Sequence, residues 1–391
     1  SIHCGSFVVM PKIRTVKTAS THHSVILEKN SRKEPVSGDK SSSFLCPIRK
    51  ERNMKKFLFP ENGNQYKANL HCHSTCSDGN LTPEELKERY SEKGYSIIAF
   101  TDHEVFYNHN DLTDDRFLAL NASEISVEAP MDENGFYKVT HLGVIAKDKE
   151  NQKATCFHPG YLWYFSDETV DKFVSKKLYF GNGEYNRVYS VDGINDMIKT
   201  AKNDGFLVIY NHIGWSRESV ATVSQLEGLD GFEIYNHNSY LEGKDNYDIP
   251  VYDDLLWLGR RYFTVAGDDN HNRPDFPDDS FGSVTYILAP ELKYESVISA
   301  LENGNCYSSL GPQIKNLWYE DGKYHIETSP AREIFLKAGN RRGERVAAEN
   351  KKGVTEAVFA AAENDIFVRF TVVGFDGKCA DTRAYEVKDI M

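Results

Sequence analysis

The sequence predicts an α/β barrel followed by a second, small all-β sandwich domain. From Tyr66 onward, strand-like apolar runs alternate with amphipathic helical ones. Five or six of the strand-like runs end in a histidine or a carboxylate, which is what a barrel with its chemistry at the strand C-termini would show. From Gln313 the character changes to short alternating runs joined by turn residues, which is the pattern of a sandwich.

Residues 1–56 come first and stand apart. They carry twelve Lys/Arg against four Asp/Glu, a net of +8 in a chain whose formal total is −12, so −20 remains for the other residues. The segment is rich in Ser, Thr and Lys and has no sustained periodicity. We expect it to be disordered or a non-native leader, with Met54 as the natural start. It lacks the long apolar stretch of a secretory signal. No run in the 391 residues approaches the ~20 apolar positions of a membrane-spanning helix, and a cytoplasmic location is expected.

The second segment, 57–312, reads as the barrel. Leu70 to His73 alternates at the strand period, so His71 and His73 point one way and Cys72 the other. Thr82-Pro83-Glu84-Glu85 is a capping box with proline at the first helical position. Leu86 and Tyr90 then share a face, Gly94 ends the helix, and Ser96–Phe100 resumes as a strand before Thr101-Asp102-His103. The run 117–120 leads to Glu124. The stretch 154–189 is aromatic and irregular and is expected to cover the barrel mouth. A helix over 190–205, with Ile194, Met197, Ile198 and Ala201 on one face, precedes the strand 206–210 that delivers His212. The run 262–266 ends in Gly267-Asp268-Asp269-Asn270-His271.

Two imidazoles on one side of a strand end can hold one divalent ion, and Asp78, in a loop closed by Gly79, lies within reach of a second. Glu124 is placed to bridge two ions, and Asp269 and His271 repeat the i, i+2 spacing. Imidazole nitrogen mixed with carboxylate oxygen suits zinc, manganese or iron. The seven cysteines are scattered without a C-x-x-C pair, which argues against a disulfide framework or a zinc ribbon; Cys72 and Cys76 are read as packing residues. His109, His158 and His237 fit no ligand position.

Over about Tyr66 to Pro312 these residues resemble the PHP (polymerase and histidinol phosphatase) superfamily of metal-dependent phosphoesterases. The carrying motifs are His71-Cys-His73 followed by Ser77-Asp78-Gly79, then Thr101-Asp102-His103, Glu124, His141-Leu-Gly, His212 and Gly267-x-Asp269-x-His271. The chain departs from the family pattern at Asp268, where small residues are common, and at Ile213, which replaces a usual proline. The resemblance implies a distorted (β/α)7 barrel with two or three divalent ions, Mn, Zn or Fe. The implied ligands are His71, His73, Asp78, His103, Glu124, His141, His212, Asp269 and His271.

Such a centre makes hydroxide available near neutral pH and neutralises phosphate oxygens, so an acidic protein can take an anionic substrate. Asp269 is the candidate to accept the water proton. Arg217 and Arg273 are candidates to bind phosphate, with Trp215, Tyr235 and Asn236 as wall residues. The expected function is hydrolysis of a small-molecule phosphate ester, mono- or diester, nucleotides included. Nuclease action would want a basic track, and outside the leader the charge is strongly acidic. Amide hydrolysis and a non-catalytic metal-binding module compete with it as weaker readings. The tail, 313–391, opens with a hairpin at Asp321-Gly322 and is expected to be structural. Nothing in the sequence speaks for a membrane partner or fixes the oligomeric state.

Overall fold

The computed structural model describes residues 55–162, 165 and 184–391. Of the expected leader, only Lys55 and Lys56 fall within these residues. Lys56 opens a short strand, β1 (Lys56–Phe57). The stretch expected to cover the mouth lies partly outside them; its described residues hold only a 3-10 turn, Pro159–Tyr161.

Strand β2 (Asn64–Cys72) leads into the helix Pro83–Glu92. Its capping box closes reciprocally. Thr82 Oγ1 accepts the Glu85 amide at 3.2 Å, and Glu85 Oε2 accepts the Thr82 amide at 2.8 Å. Gly94, at φ +77°, lets the chain turn into β3 (Ile97–Phe100). Strands β4 (Leu118–Glu128) and β5 (Val139–Ala146) follow. The helix Val191–Asn203 starts at Ser190, whose side chain accepts the Gly193 amide, and buries Ile194, Met197, Ile198 and Ala201. Then come β6 (Phe206–Tyr210), β7 (Gly231–Asn236), the helix Ile249–Trp257, β8 (Phe263–Gly267), β9 (Val284–Ala289), the helix Tyr294–Glu302 and β10 (Cys306–Ser309).

The protein is mixed α/β with one large sheet. Strands β2, β3 and β4 are parallel, as are β6, β7 and β8; β5 runs antiparallel to both β4 and β6. The chain leaving β8 returns to β2. The Asp269 amide donates to the His71 carbonyl at 2.8 Å, and the His73 amide donates to the Asn270 carbonyl at 3.1 Å. Residues buried on both faces explain why these strands read as near-continuous apolar runs. One parity, including Leu70, Ala99, Leu120, Leu207, Ile209 and Val265, packs into a shared inner cluster that the helix Tyr294–Glu302 also joins. The other packs outward, as Phe100 and Ala119 do against Leu86 and Tyr90.

Beyond residue 312 lie β11 (Ile314–Glu320), β12 (Lys323–Ala331), β13 (Glu333–Ala338), β14 (Gly343–Ala347), β15 (Val354–Ala360), β16 (Phe367–Val373), β17 (Cys379–Thr382) and β18 (Tyr385–Glu386). They divide between two sheets. β1, β11, β12 and β15 form a four-stranded one, whereas β14, β13, β16 and β17 continue the large sheet through β10 and β9 to β2. The core between them includes Leu317, Ile326, Leu336, Phe359 and Phe370, and also Leu58, Phe59, Tyr286 and Tyr307 from earlier in the chain. No helix among the described residues is long and apolar enough to cross a membrane.

Candidate metal centre

The nine residues singled out by spacing meet at one place. Ala68 and Leu70 pack into one cluster, and a register shift between Asn69 and Cys72 turns Cys72 to another, with His71 and His73 on one side at the strand end. Cys72 faces away and packs with Tyr90 and Phe100. Asp78 is held by the tight loop that follows. Asp102 accepts the Ser74 amide at 2.8 Å, the Ser74 hydroxyl at 2.8 Å and the Ser77 hydroxyl at 2.7 Å. Gly79 is needed there, because a Cβ would meet the His73 carbonyl oxygen at 2.6 Å. His103 leaves the end of β3, Glu124 and His141 lie within β4 and β5, His212 follows β6, and Asp269 and His271 follow β8.

Glu124 is central. Its Oε1 lies 3.2 Å from His71 Nε2, 3.3 Å from His141 Nδ1 and 3.2 Å from His212 Nε2; its Oε2 lies 3.3 Å from His103 Nδ1 and 3.6 Å from His73 Nε2. Asp269 Oδ1 sits 3.2 Å from His71 Nε2 and 3.0 Å from His73 Nε2. Asp78 Oδ2 is 3.4 Å from His271 Nε2 and 3.9 Å from His103 Nε2. Two donors each ~2.1 Å from a tetrahedral ion are ~3.4 Å apart, so these separations are those of a shared coordination shell.

Of four groups of ligand atoms among the described residues, three lie in this centre: His71, His73, Glu124 and Asp269; His73, Asp78, His103 and His271; and His103, Glu124 and His141. They overlap through His73, His103 and Glu124. His71 Nε2, both ring nitrogens of His73, His141 Nδ1 and Glu124 Oε2 are buried without a hydrogen-bond partner. Orphaned donors of this kind are costly unless an ion uses them. The residues therefore fit divalent metal.

Electrostatics point the same way. Burial alone would raise the Glu124 carboxyl, but the His141 and His71 imidazoles hold it well below the usual range. Asp269 behaves alike, with His71 foremost among the imidazoles that oppose its burial. Burial would lower His271, yet Asp78 and Asp269 push it up to about 9. A cation entering here meets the Glu124 and Asp269 carboxylates already ionised and, at His271, an imidazole that must give up a proton.

A cavity of about 200 Å³ opens over the centre. Beside the ligand residues it is lined by Trp215, Asn238, Glu242, Lys244 and Arg273. Glu242 bridges the two cations, 2.7 Å from Lys244 Nζ and 3.2 Å from Arg273 Nη2. Lys244 also lies over the Trp215 ring, whose centroid is 5.0 Å from that of His212.

Other residues that the sequence brought forward fall elsewhere or serve other ends, and Arg217 is the clearest: it is exposed, pairs with Asp245 and borders a separate hollow with Gly214 and Tyr247. Asn236 donates to Asp269 Oδ2 at 3.2 Å, while the Tyr235 hydroxyl meets His237. His109 packs on Phe100, and His158 accepts the Gly160 amide. Cys76 is half-buried near Asp102 and His109, but Asp102 is already engaged by the two serines.

Spacing missed Glu233, Asn211 and the rim residues Asn238, Glu242 and Lys244. Glu233 Oε1 is 3.0 Å from His71 Nδ1, and the Asn211 side-chain amide donates to Glu124 Oε1 at 2.7 Å. A charged residue inside the apolar run Phe232-Glu233-Ile234 was the available signal. The rim residues carry none, because they lie in irregular connections.

No curated protein matches the sequence. Among solved structures, the chain is similar to a two-domain protein from Bacteroides vulgatus containing a predicted PHP-like metal-dependent phosphoesterase. Identity is 15%, coverage is 85% of this chain and 97% of that one, and the TM-score is 0.39. It is also similar to an amidohydrolase from Chromobacterium violaceum with bound sulfate (18% identity, 52% and 87% coverage, TM-score 0.35). A proposed metal-dependent phosphoesterase from Bifidobacterium adolescentis is similar as well (16%, 57% and 94%, TM-score 0.33). The model of the PHP domain family matches residues 69–154. That matched span holds His71, His73, Asp78, His103, Glu124 and His141.

Proposed function

We propose that this protein is a metal-dependent phosphoesterase that hydrolyses a phosphate ester of a small molecule, mono- or diester. One observation carries the reading: five imidazoles surround Glu124, His271, Asp78 and Asp269 lie beside them, and buried nitrogens are left unpartnered. The ring of strands β2 to β8 is read as a distorted (β/α)7 barrel spanning 57–312, with 313–391 as the sandwich domain.

Two or three ions of manganese, zinc or iron would be held by His71, His73, Asp78, His103, Glu124, His141, His212, Asp269 and His271. When bound, they supply charge that neutralises the phosphate oxygens and makes water acidic enough to attack near neutral pH. Asp269 Oδ2 accepts one hydrogen bond among the described residues, from the Asn236 side-chain amide, and this carboxylate would take a proton from water in the cavity. Arg273 and Lys244 face the same space and orient the ester through its oxygens, with Glu242 holding the two cations side by side. Trp215 walls off one side and limits the leaving group.

The size of the cavity supports a small substrate over a nucleic-acid end. So does the −20 carried outside residues 1–56, which offers no track for a polyanionic backbone.

The test is phosphate release from a panel of mono- and diesters, nucleotides included, by manganese-loaded protein, with His73→Ala as control. Release that the substitution abolishes supports the reading. No release from protein shown to hold metal would shift the assignment to amide hydrolysis or to a non-catalytic metal module.

A further inference from the structure

We propose that Glu233 is a positioning residue that sets the metal affinity of the centre by fixing three of its ligands from three separate elements. The inference rests on reading the centre as a metal site. Glu233 is buried on β7 and belongs to none of the three ligand groups. Its Oε1 meets His71 Nδ1 at 3.0 Å. Its Oε2 accepts the His212 backbone amide at 2.8 Å and the Asn236 side-chain amide at 3.1 Å. The Asn236 amide in turn donates to Asp269 Oδ2. One carboxylate thus reaches the end of β2, the turn after β6 and the turn after β8.

Each contact has a separate consequence. Accepting a hydrogen bond from Nδ1–H keeps the proton on that nitrogen, so the His71 ring turns the lone pair of Nε2 toward Glu124 and Asp269. The His212 backbone stands at φ +25°, ψ 62°, a conformation that an L-residue rarely adopts. Its amide bond to Glu233 is one of the contacts that hold it there. The next strand makes room for the carboxylate. A Cβ on Gly267 would fall 2.1 Å from Glu233 Oε1 and 2.6 Å from His71 Cβ, so glycine at 267 and glutamate at 233 are fitted to one another.

Glutamine has the same shape but brings its own N–H donors to a place where three donors already converge. Glu233→Gln must therefore break at least one of the three contacts, whereas Glu233→Asp keeps the charge and loses reach.

The experiment titrates full-length metal-free protein with zinc against a competing chelator, for the wild type, Glu233→Gln and Glu233→Asp, and records the melting of each metal-free form. We expect Glu233→Gln to bind zinc about 10- to 100-fold more weakly, with Glu233→Asp between it and the wild type and all three melting within a few degrees. In zinc-loaded wild type, the ring-nitrogen NMR signals of His71 should show the proton on Nδ1. Unchanged zinc affinity in Glu233→Gln, or a proton on Nε2 in the wild type, overturns the proposal while leaving the metal site standing. Wild-type protein that takes up no zinc or manganese overturns the metal reading itself. Should Glu233→Gln not fold, the aspartate variant and the His71 signal decide the matter alone.

Discussion

Arg369 on β16 grips Asp253 on the helix Ile249–Trp257 with two parallel hydrogen bonds, Nε to Oδ1 at 2.5 Å and Nη2 to Oδ2 at 2.6 Å. The guanidinium is fully buried and is completed by Thr371 and Asp381. This links the C-terminal strands to a helix that packs on β7. Removing one side of such a pair leaves a buried charge under-compensated, which costs ~3–5 kcal/mol at full burial. Asp253 is partly exposed and Asp381 remains, so Asp253→Ala should cost about 2–3 kcal/mol by urea denaturation. A loss below ~0.5 kcal/mol would show that the clamp contributes little.

A second buried pair joins Arg187 to Glu104, the residue after His103. Arg187 Nη2 lies 2.6 Å from Glu104 Oε2, and the same guanidinium donates to the Ser126 and Cys156 carbonyls. Glu104 itself stands at φ +64°, a strained position for a non-glycine residue. Arg187→Ala takes away the charge that faces the Glu104 carboxylate, leaves it the Ser126 amide and hydroxyl, and should speed amide exchange at Tyr185, whose N–H bonds the Phe157 carbonyl, by about tenfold or more. Exchange at wild-type rates would mean that the stretch is held by other contacts.

Asp248 gives a pH dependence with a definite sign. Burial pushes its carboxyl up to about 6, from ~3.9 in an unfolded chain. The folded state then holds this proton more tightly than the unfolded state. The group's contribution therefore falls as pH rises from ~4 to ~6 and stays low above that, a penalty of at most ~3 kcal/mol. Asp248→Asn removes the penalty and should raise stability at pH 7.5 by ~1–2 kcal/mol while leaving stability at pH 4 unchanged. Urea midpoints at the two pH values check it, and equal shifts at both would discount the titration.

Metal should stabilise the protein whether or not it turns over any ester. Free metal at 100 times its dissociation constant adds ~2.7 kcal/mol. Stripping it with chelator should lower Tm by at least several degrees, and adding manganese back should restore it. In His73→Ala the shift should shrink, because His73 belongs to two of the three ligand groups. A chelator-independent Tm in protein purified with metal would count against the site.

Much of this was legible in the chain itself. The alternation His71-Cys72-His73 shows which side chains share a side because a strand's period is local. Thr82 to Glu85 mark a helix start because capping needs only neighbouring atoms. Ligand-type residues at the ends of apolar runs announce where the chemistry gathers.

What the chain by itself determined, then, is the set of local elements and the polar residues at their ends. Tertiary structure alone decided their company. It sent Arg217 outward to Asp245 and brought Lys244 and Glu242 over the cavity, because irregular connections have no period to read. It set Glu233 behind His71, where the missing side chain of Gly267 makes room for it. It also joined β2 to β9 and, through β10 and β17, to β16, so that the large sheet runs past residue 312. Strand partners far apart in sequence are chosen by packing on shared faces, and that choice leaves no mark within either strand.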